Sequence, residues 1–275
     1  MPPLHTILHP TDFSDASADA FVHALKIALA AKATLHILHV ASGQDDDIMT
    51  FPQVRETLAR WGLMDAGEPR QAIAAKLGIR VAKVDLEPQA PDDGVRRFMV
   101  EHPPGLMVLA TEARQGVARW LHGSVAERLA RATTAPTLFV PAKARGFVDQ
   151  MRGEVRLHHV LIPVDHKPKP AAAIGFAMGL AHMLAGFDAE ERLMHVGKEP
   201  PPRIARHDEP GRVLPVAVRQ GDVVEAVLDM ASDWPADLIA MATAGHRSVL
   251  DLLRGSTTER VLRQAPCPVL AVPVV

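Results

Sequence analysis

Pro136-Thr137-Leu138-Phe139-Val140-Pro141 returns 132 residues later as Pro268-Val269-Leu270-Ala271-Val272-Pro273. Each is a short apolar run between prolines, the pattern of a buried strand. The same offset relates Gly123-Ser124-Val125-Ala126-Glu127-Arg128-Leu129 to Gly255-Ser256-Thr257-Thr258-Glu259-Arg260-Val261, which read as helix starts. Further upstream, Ile7-Leu8-His9-Pro10-Thr11-Asp12 is answered by Leu161-Ile162-Pro163-Val164-Asp165. Each of these is followed by an Ala-rich helical stretch and then by an apolar run ending in His-Val, at His39-Val40 and His195-Val196. The chain is therefore a tandem repeat. Asp12 and Asp165 are offset by 153, so the second copy is 21 residues shorter in its middle.

Strands alternate with helices inside each copy. In the first, the pattern predicts strands near 5–10, 35–40, 79–86, 106–111 and 137–140. It predicts helices near 15–32, 51–77 (broken around Gly67 and Pro69), 91–101 and 124–132. Runs such as Leu106-Met107-Val108-Leu109-Ala110 are apolar without alternation, which suits strands covered on both faces. The expected fold is α/β: two tandem doubly wound, Rossmann-like domains, each with a five-stranded and mainly parallel sheet. In the second copy, residues 197–211 stand where the second helix would be. Pro200, Pro201, Pro202 and Pro210 cannot sit inside a helix, so that domain is expected to lack it. The expected units are residues 1–142 and 155–275, joined by a mostly polar stretch with two glycines.

The bulk numbers narrow the function. The 275 residues carry 30 Lys plus Arg against 32 Asp plus Glu, with no basic block, so no nucleic-acid partner is expected. One cysteine, Cys267, cannot form an internal disulfide, which suits a reducing compartment. Met1-Pro2-Pro3-Leu4-His5-Thr6-Ile7 has no basic segment leading into an apolar stretch, and no apolar run approaches the roughly 20 residues of a bilayer span. A cytoplasmic protein with no membrane partner is expected. No Gly-x-Ser-x-Gly or hydrolase-type Ser/His/Asp spacing is present. His5 and His9 share a strand face, and His9 and His39 end strands expected to be neighbours, but two histidines without carboxylate or cysteine support make a weak metal signal, and none is assigned.

Open α/β sheets bind ligands beyond the carboxyl ends of their strands. In the second copy the loop after the fourth strand reads Ala242-Thr243-Ala244-Gly245, then nine residues, then Gly255-Ser256. Glycines there let the backbone approach a ligand, and free N–H groups at the helix start with the hydroxyls of Ser256 and Thr257 make an anion cradle. This resembles the Gly-x2-Gly-x9-Gly-Ser/Thr signature of the universal stress protein family. Ala236-Asp237-Leu238-Ile239-Ala240-Met241 before it, Ala265-Pro266-Cys267-Pro268-Val269-Leu270 after it and Pro10-Thr11-Asp12-Phe13-Ser14 at the start fit the same family. The resemblance covers nearly the whole chain, twice. It implies a stress-response protein that binds ATP or a related adenine nucleotide. The implied contacts are Pro163, Val164, Asp165 and Val196 on the adenine side, with Ala242, Thr243, Gly245, His246, Arg247, Gly255, Ser256 and Thr257 toward the phosphates. The first-copy equivalents are Thr11, Asp12, Val40, Thr111, Gly123, Ser124 and Val125.

The signature is imperfect. Ala242 replaces its first glycine. In the first copy Ala110 and Ala113 replace both early glycines, and Glu112 adds a repulsive carboxylate. The second copy is therefore the expected site and the first a degenerate one. A structural alternative accompanies each feature. Ser124/Glu127 and Ser256/Glu259 have capping-box spacing, and Asp12 and Asp165 could close turns or cap helices. Without a general base or a metal-binding carboxylate pair, any hydrolysis would be slow at most. The competing reading is a scaffold that binds no nucleotide. In either case the last strands of the two copies are expected to pair, and a further homodimer is left open.

Overall fold

The computed structural model describes residues 1–40, 51–86, 97–111, 134–142, 144–205, 213–244 and 257–274. The first half contributes β1 (Thr6–Pro10), α1 (Asp15–Ala31), β2 (Thr34–Val40), α2 (Val54–Arg60), β3 (Arg80–Leu86), β4 (Leu106–Thr111) and β5 (Thr137–Pro141). The second contributes β6 (His159–Pro163), α3 (Ala171–Ala185), β7 (Glu190–Val196), β8 (Val216–Arg219), α4 (Val223–Asp233), β9 (Leu238–Ala244), α5 (Thr257–Leu262) and β10 (Val269–Val274). The ten strands form one sheet in the order β3-β2-β1-β4-β5-β10-β9-β6-β7-β8. Within each half every pairing is parallel. The halves meet where β5 and β10 run antiparallel, with Leu138 opposite Leu270 and Phe139 opposite Val269. The expected pairing of the last strands thus closes two five-stranded sheets into one.

Both faces of the sheet are covered, as the unalternating strands require. Along β4, Leu106 and Val108 join the core beneath α1 and α3, while Met107 and Leu109 join a second core beneath α4 and α5. The same division runs through Leu138 and Phe139 on β5 and Val269 and Leu270 on β10, so each core continues across the seam. A fully buried leucine of this kind contributes about 2–3 kcal/mol.

The helices start and stop on local chemistry. Ser14 takes an extended conformation and its hydroxyl accepts the Ser17 N–H at 3.2 Å, capping α1. Ala20, Ala24 and Ala28 turn a small-residue face to the sheet. Asp222 caps α4 by accepting from Val224 N–H and Glu225 N–H, and Arg260 of α5 reaches its carboxylate at 3.2 Å. Ala171–Asp188 is apolar and long enough to cross a membrane by composition, contrary to the expectation that no such run exists. One face of that stretch, including Ala173, Phe176, Ala177 and Leu180, is buried on the sheet. This is the pattern of a core helix.

The broken 51–77 helix is seen as α2, a loop, and one π-helical turn at Ile73–Leu77. No helix occurs in the described part of the Pro-rich stretch, 197–205. Residues 97–101 are helical, whereas the rest of the expected 91–101 helix and all of 124–132 lie outside the described residues.

The stretch joining the halves is not a loose tether. Phe147 and Val148 are buried, and both of their N–H groups donate to Nε2 of His23 on α1, at 3.0 and 3.3 Å. The His23 Nδ1–H donates to the Asp19 carbonyl at 2.7 Å. A Cβ on Gly146 would lie 2.5 Å from the His23 ring, so only glycine permits this approach. Gly153 turns the chain at φ +66° directly against Trp61, whose Nε1–H donates to the Gln150 carbonyl at 3.0 Å.

Candidate functional site

The carboxyl ends of β6, β7 and β9 converge with the start of α5 on a cavity of about 300 Å³. β6 lies between β7 and β9, so this is where the connection leaving β6 and the one entering β9 diverge. Apolar walls come from Val164, Met194, Val196 and Met241, and Thr257 and Thr258 close the α5 side. Pro163, Asp165, Ala242 and Thr243, all expected at a site, line the same cavity.

The polar groups here have distinct situations. His195 is buried, and its Nδ1 lies 3.1 Å from the Val164 carbonyl. A carbonyl only accepts, so in the neutral ring Nδ1 carries the hydrogen and Nε2 is left as an acceptor. That Nε2 has no partner among the described residues, and neither does Oγ1 of the buried Thr243. A buried polar atom without a partner costs about 1–3 kcal/mol. Asp165 is exposed; its Oδ1 accepts the His166 N–H at 2.7 Å and stands 3.9 Å from His195 Nδ1. It caps no helix, because α3 starts at Pro170 without a side-chain cap.

The corresponding mouth of the first half is arranged differently. Asp12 Oδ1 accepts both the N–H and the hydroxyl of Ser14, so it braces the cap of α1. Thr11 Oγ1 accepts from Phe13 N–H and from the Ser17 hydroxyl. His39 pairs with Asp85 at 3.1 Å and lies under the Phe13 ring, 4.3 Å centroid to centroid. Phe51 packs edge-on against Phe13 at 5.2 Å. Phe13 holds φ at +60°, an uncommon conformation for an aromatic residue. Thr111 is buried at the end of β4, and Val40 ends β2.

Gly245, His246, Arg247, Gly255 and Ser256, with Gly123, Ser124 and Val125 of the first half, lie outside the described residues. Glu259 is buried and ion-paired with Arg263. Residues that the sequence reading did not assign to the site include His195, Met194, Met241, Lys167, Pro168 and Val223. The repeated His-Val at the ends of β2 and β7 was the available signal for His195.

Other candidates fall to structural roles. His9 is wholly buried, with Nδ1 donating to the Val108 carbonyl, and burial lowers its pKa to about 4. Burial pushes the Cys267 thiol up to about 12, which leaves it unreactive. No cluster of three or more metal-ligating side chains occurs among the described residues.

The universal stress protein family model matches residues 3–141 and 188–273. The chain belongs to the universal stress protein family. A 53-residue stretch is 47% identical to a universal stress protein of Thermus aquaticus, covering 19% of this chain and 39% of that one. The chain thus spans about two-fifths of that relative's length. A universal stress protein of Archaeoglobus fulgidus has the same fold over 98% of both chains, at 17% identity and a TM-score of 0.58. A universal stress protein solved in complex with cAMP aligns with 51% of this chain and 98% of its own, at 24% identity and a TM-score of 0.32.

Proposed function

We propose that this universal stress protein binds one adenine nucleotide, ATP or a close relative, at the mouth of its second half, and does so as a stress-response binding module rather than an enzyme. The observation that carries this reading is the pair of buried polar atoms, His195 Nε2 and Thr243 Oγ1, whose residues line one cavity and which lack a partner among the described residues. Such atoms are costly unless a ligand or water completes them. The cavity, about 300 Å³, is at the lower end of small-molecule sites, a size that suits a base and ribose. Val164, Val196, Met194 and Met241 would enclose the ring. His195 Nε2 would accept from an amino or hydroxyl group, and Asp165 at the rim would accept from a sugar hydroxyl. Thr257 and the Gly255-Ser256 helix start would face the phosphates. The units 1–142 and 155–275 would then differ in role, the first serving as a partner-facing scaffold. The engagement of Thr11, Asp12 and His39 by their neighbours around Phe13 favours that division.

Calorimetric titration with ATP tests the site. Wild-type protein is expected to bind one equivalent, and both Thr243→Val and Gly255→Val to lose at least about tenfold in affinity, the value of one charge-assisted or buried hydrogen bond. Unchanged affinity in both variants overturns the assignment. Absence of binding to the wild type leaves the scaffold reading for both halves.

A further inference from the structure

A second concavity lies in the first half, far along the sheet from the mouth of the second. It is about 730 Å³ and lies between the start of α2, residues 70–74 and the edge strand β3. Four cations line it: Arg55, Arg70, Arg80 and Lys83. No acidic residue does. This stands out in a chain whose overall charge is −2.

None of the four has an ion-pair partner among the described residues. Arg55 donates only to the Glu68 carbonyl at 3.4 Å. The carboxylate of Glu68 is already engaged, by Lys76 at 2.7 Å and by the Asp65 N–H. Lys83 is half-buried and lies 5.7 Å from the Phe51 ring. Its pKa is lowered by burial first and then by Arg70 and Arg55, with Glu56 as the opposing charge. The three guanidiniums are exposed, so solvent tolerates them, but Lys83 gives up part of its hydration beside like charges and gains no carboxylate partner among the described residues. Val54, Ile73, Ile79 and Val81 supply apolar walls. Guanidinium forks match phosphate oxygens in pairs, and a partly desolvated lysine adds a point charge. The volume falls within the range of small-molecule sites.

We propose that this groove binds a small polyanion of the phosphorylated class, a molecule carrying two or more adjacent phosphate groups. The site does not depend on the nucleotide mouth of the second half. It belongs to the first half, because the second has no described helix in the stretch corresponding to α2.

Calorimetric titration of the full chain with inorganic tripolyphosphate, at about 20 mM salt, is the test. Wild-type protein is expected to bind in the sub-millimolar range, and the double variant Arg70→Gln/Lys83→Gln to bind at least about tenfold more weakly. Thr243→Val and Gly255→Val, which act on the other mouth, should leave this affinity unchanged. Arg70 is exposed and Lys83 half-buried, and unaltered circular dichroism and thermal unfolding would show that the double variant folds. Three outcomes overturn the proposal: no binding by the wild type, equal binding by the double variant, or loss of binding in Gly255→Val alone. A hexaglutamate peptide that binds more tightly than tripolyphosphate, and through the same two residues, overturns it in favour of an acidic polypeptide.

Discussion

The two mouths of this molecule start from the same strand ends and finish in opposite states. In the first half, Asp12 and Thr11 are engaged by Ser14, Ser17 and Phe13, and Phe13 and Phe51 cover His39. In the second, Asp165 accepts its neighbour's N–H and stands 3.9 Å from His195, while His195 and Thr243 keep buried atoms without partners among the described residues. At the first mouth Asp12 and Thr11 are satisfied by their neighbours, although deeper in that half His9 Nε2 and His36 Nδ1 are buried without a partner among the described residues. At the second, His195 Nε2 and Thr243 Oγ1 have no partner among the described residues, which costs stability unless a ligand or water completes them.

The largest expected effect separates the halves by acid. His9 and His23, both in the first half, have pKa values lowered from 6.5 to about 4, chiefly by burial. Their unfolded forms take up protons first, so the stability they contribute is complete above about pH 6.5 and is lost as pH falls through about 4. Each costs roughly 3 kcal/mol by the end of that window. Protonated His23 would turn a hydrogen toward the N–H groups of Phe147 and Val148 that it now accepts from. Hydrogen exchange between pH 7 and pH 4 should show α1 and residues 146–150 losing protection before α3 does. Equal loss in both halves would break the comparison.

A smaller effect comes from removing that histidine at neutral pH. His23→Ala orphans two N–H groups and leaves a void beside Phe147, for a loss of about 3 kcal/mol in urea unfolding. Smaller again is Phe13→Ala, which should lower stability by about 1–2 kcal/mol and still leave nucleotide stoichiometry at one, since Thr11 and Asp12 remain engaged. A second equivalent of ATP in that variant would show that the plug alone distinguishes the mouths. The smallest effect has the opposite sign. Thr243→Val removes an unsatisfied hydroxyl and should raise stability by about 1 kcal/mol while ATP affinity falls. A variant that loses both would mean the hydroxyl is satisfied within the protein.

The periodic parts of the chain were legible in sequence. Continuous apolar runs such as Leu106–Ala110 announced strands buried on both faces, and the repeated Pro-flanked strands announced their own pairing. The side chains that set the two mouths apart were less so. Phe51 is far from Phe13 in sequence, and nothing local says that the two rings meet over His39. His195 sits in an ordinary apolar run, marked only by the repeat of His-Val at the ends of β2 and β7. The polar joining stretch looked like a tether because its large apolar residues, Phe147, Val148 and Met151, are few. Their anchor, His23, lies on a helix more than a hundred residues away.

The antiparallel contact of β5 with β10 sets a limit on symmetry. A two-fold dimer of identical chains must present the same mouth twice, so any change to one is a change to both. Here both partners of that contact are parts of one polypeptide. The two mouths of each molecule are therefore free to differ, and a substitution in either is not copied into the other.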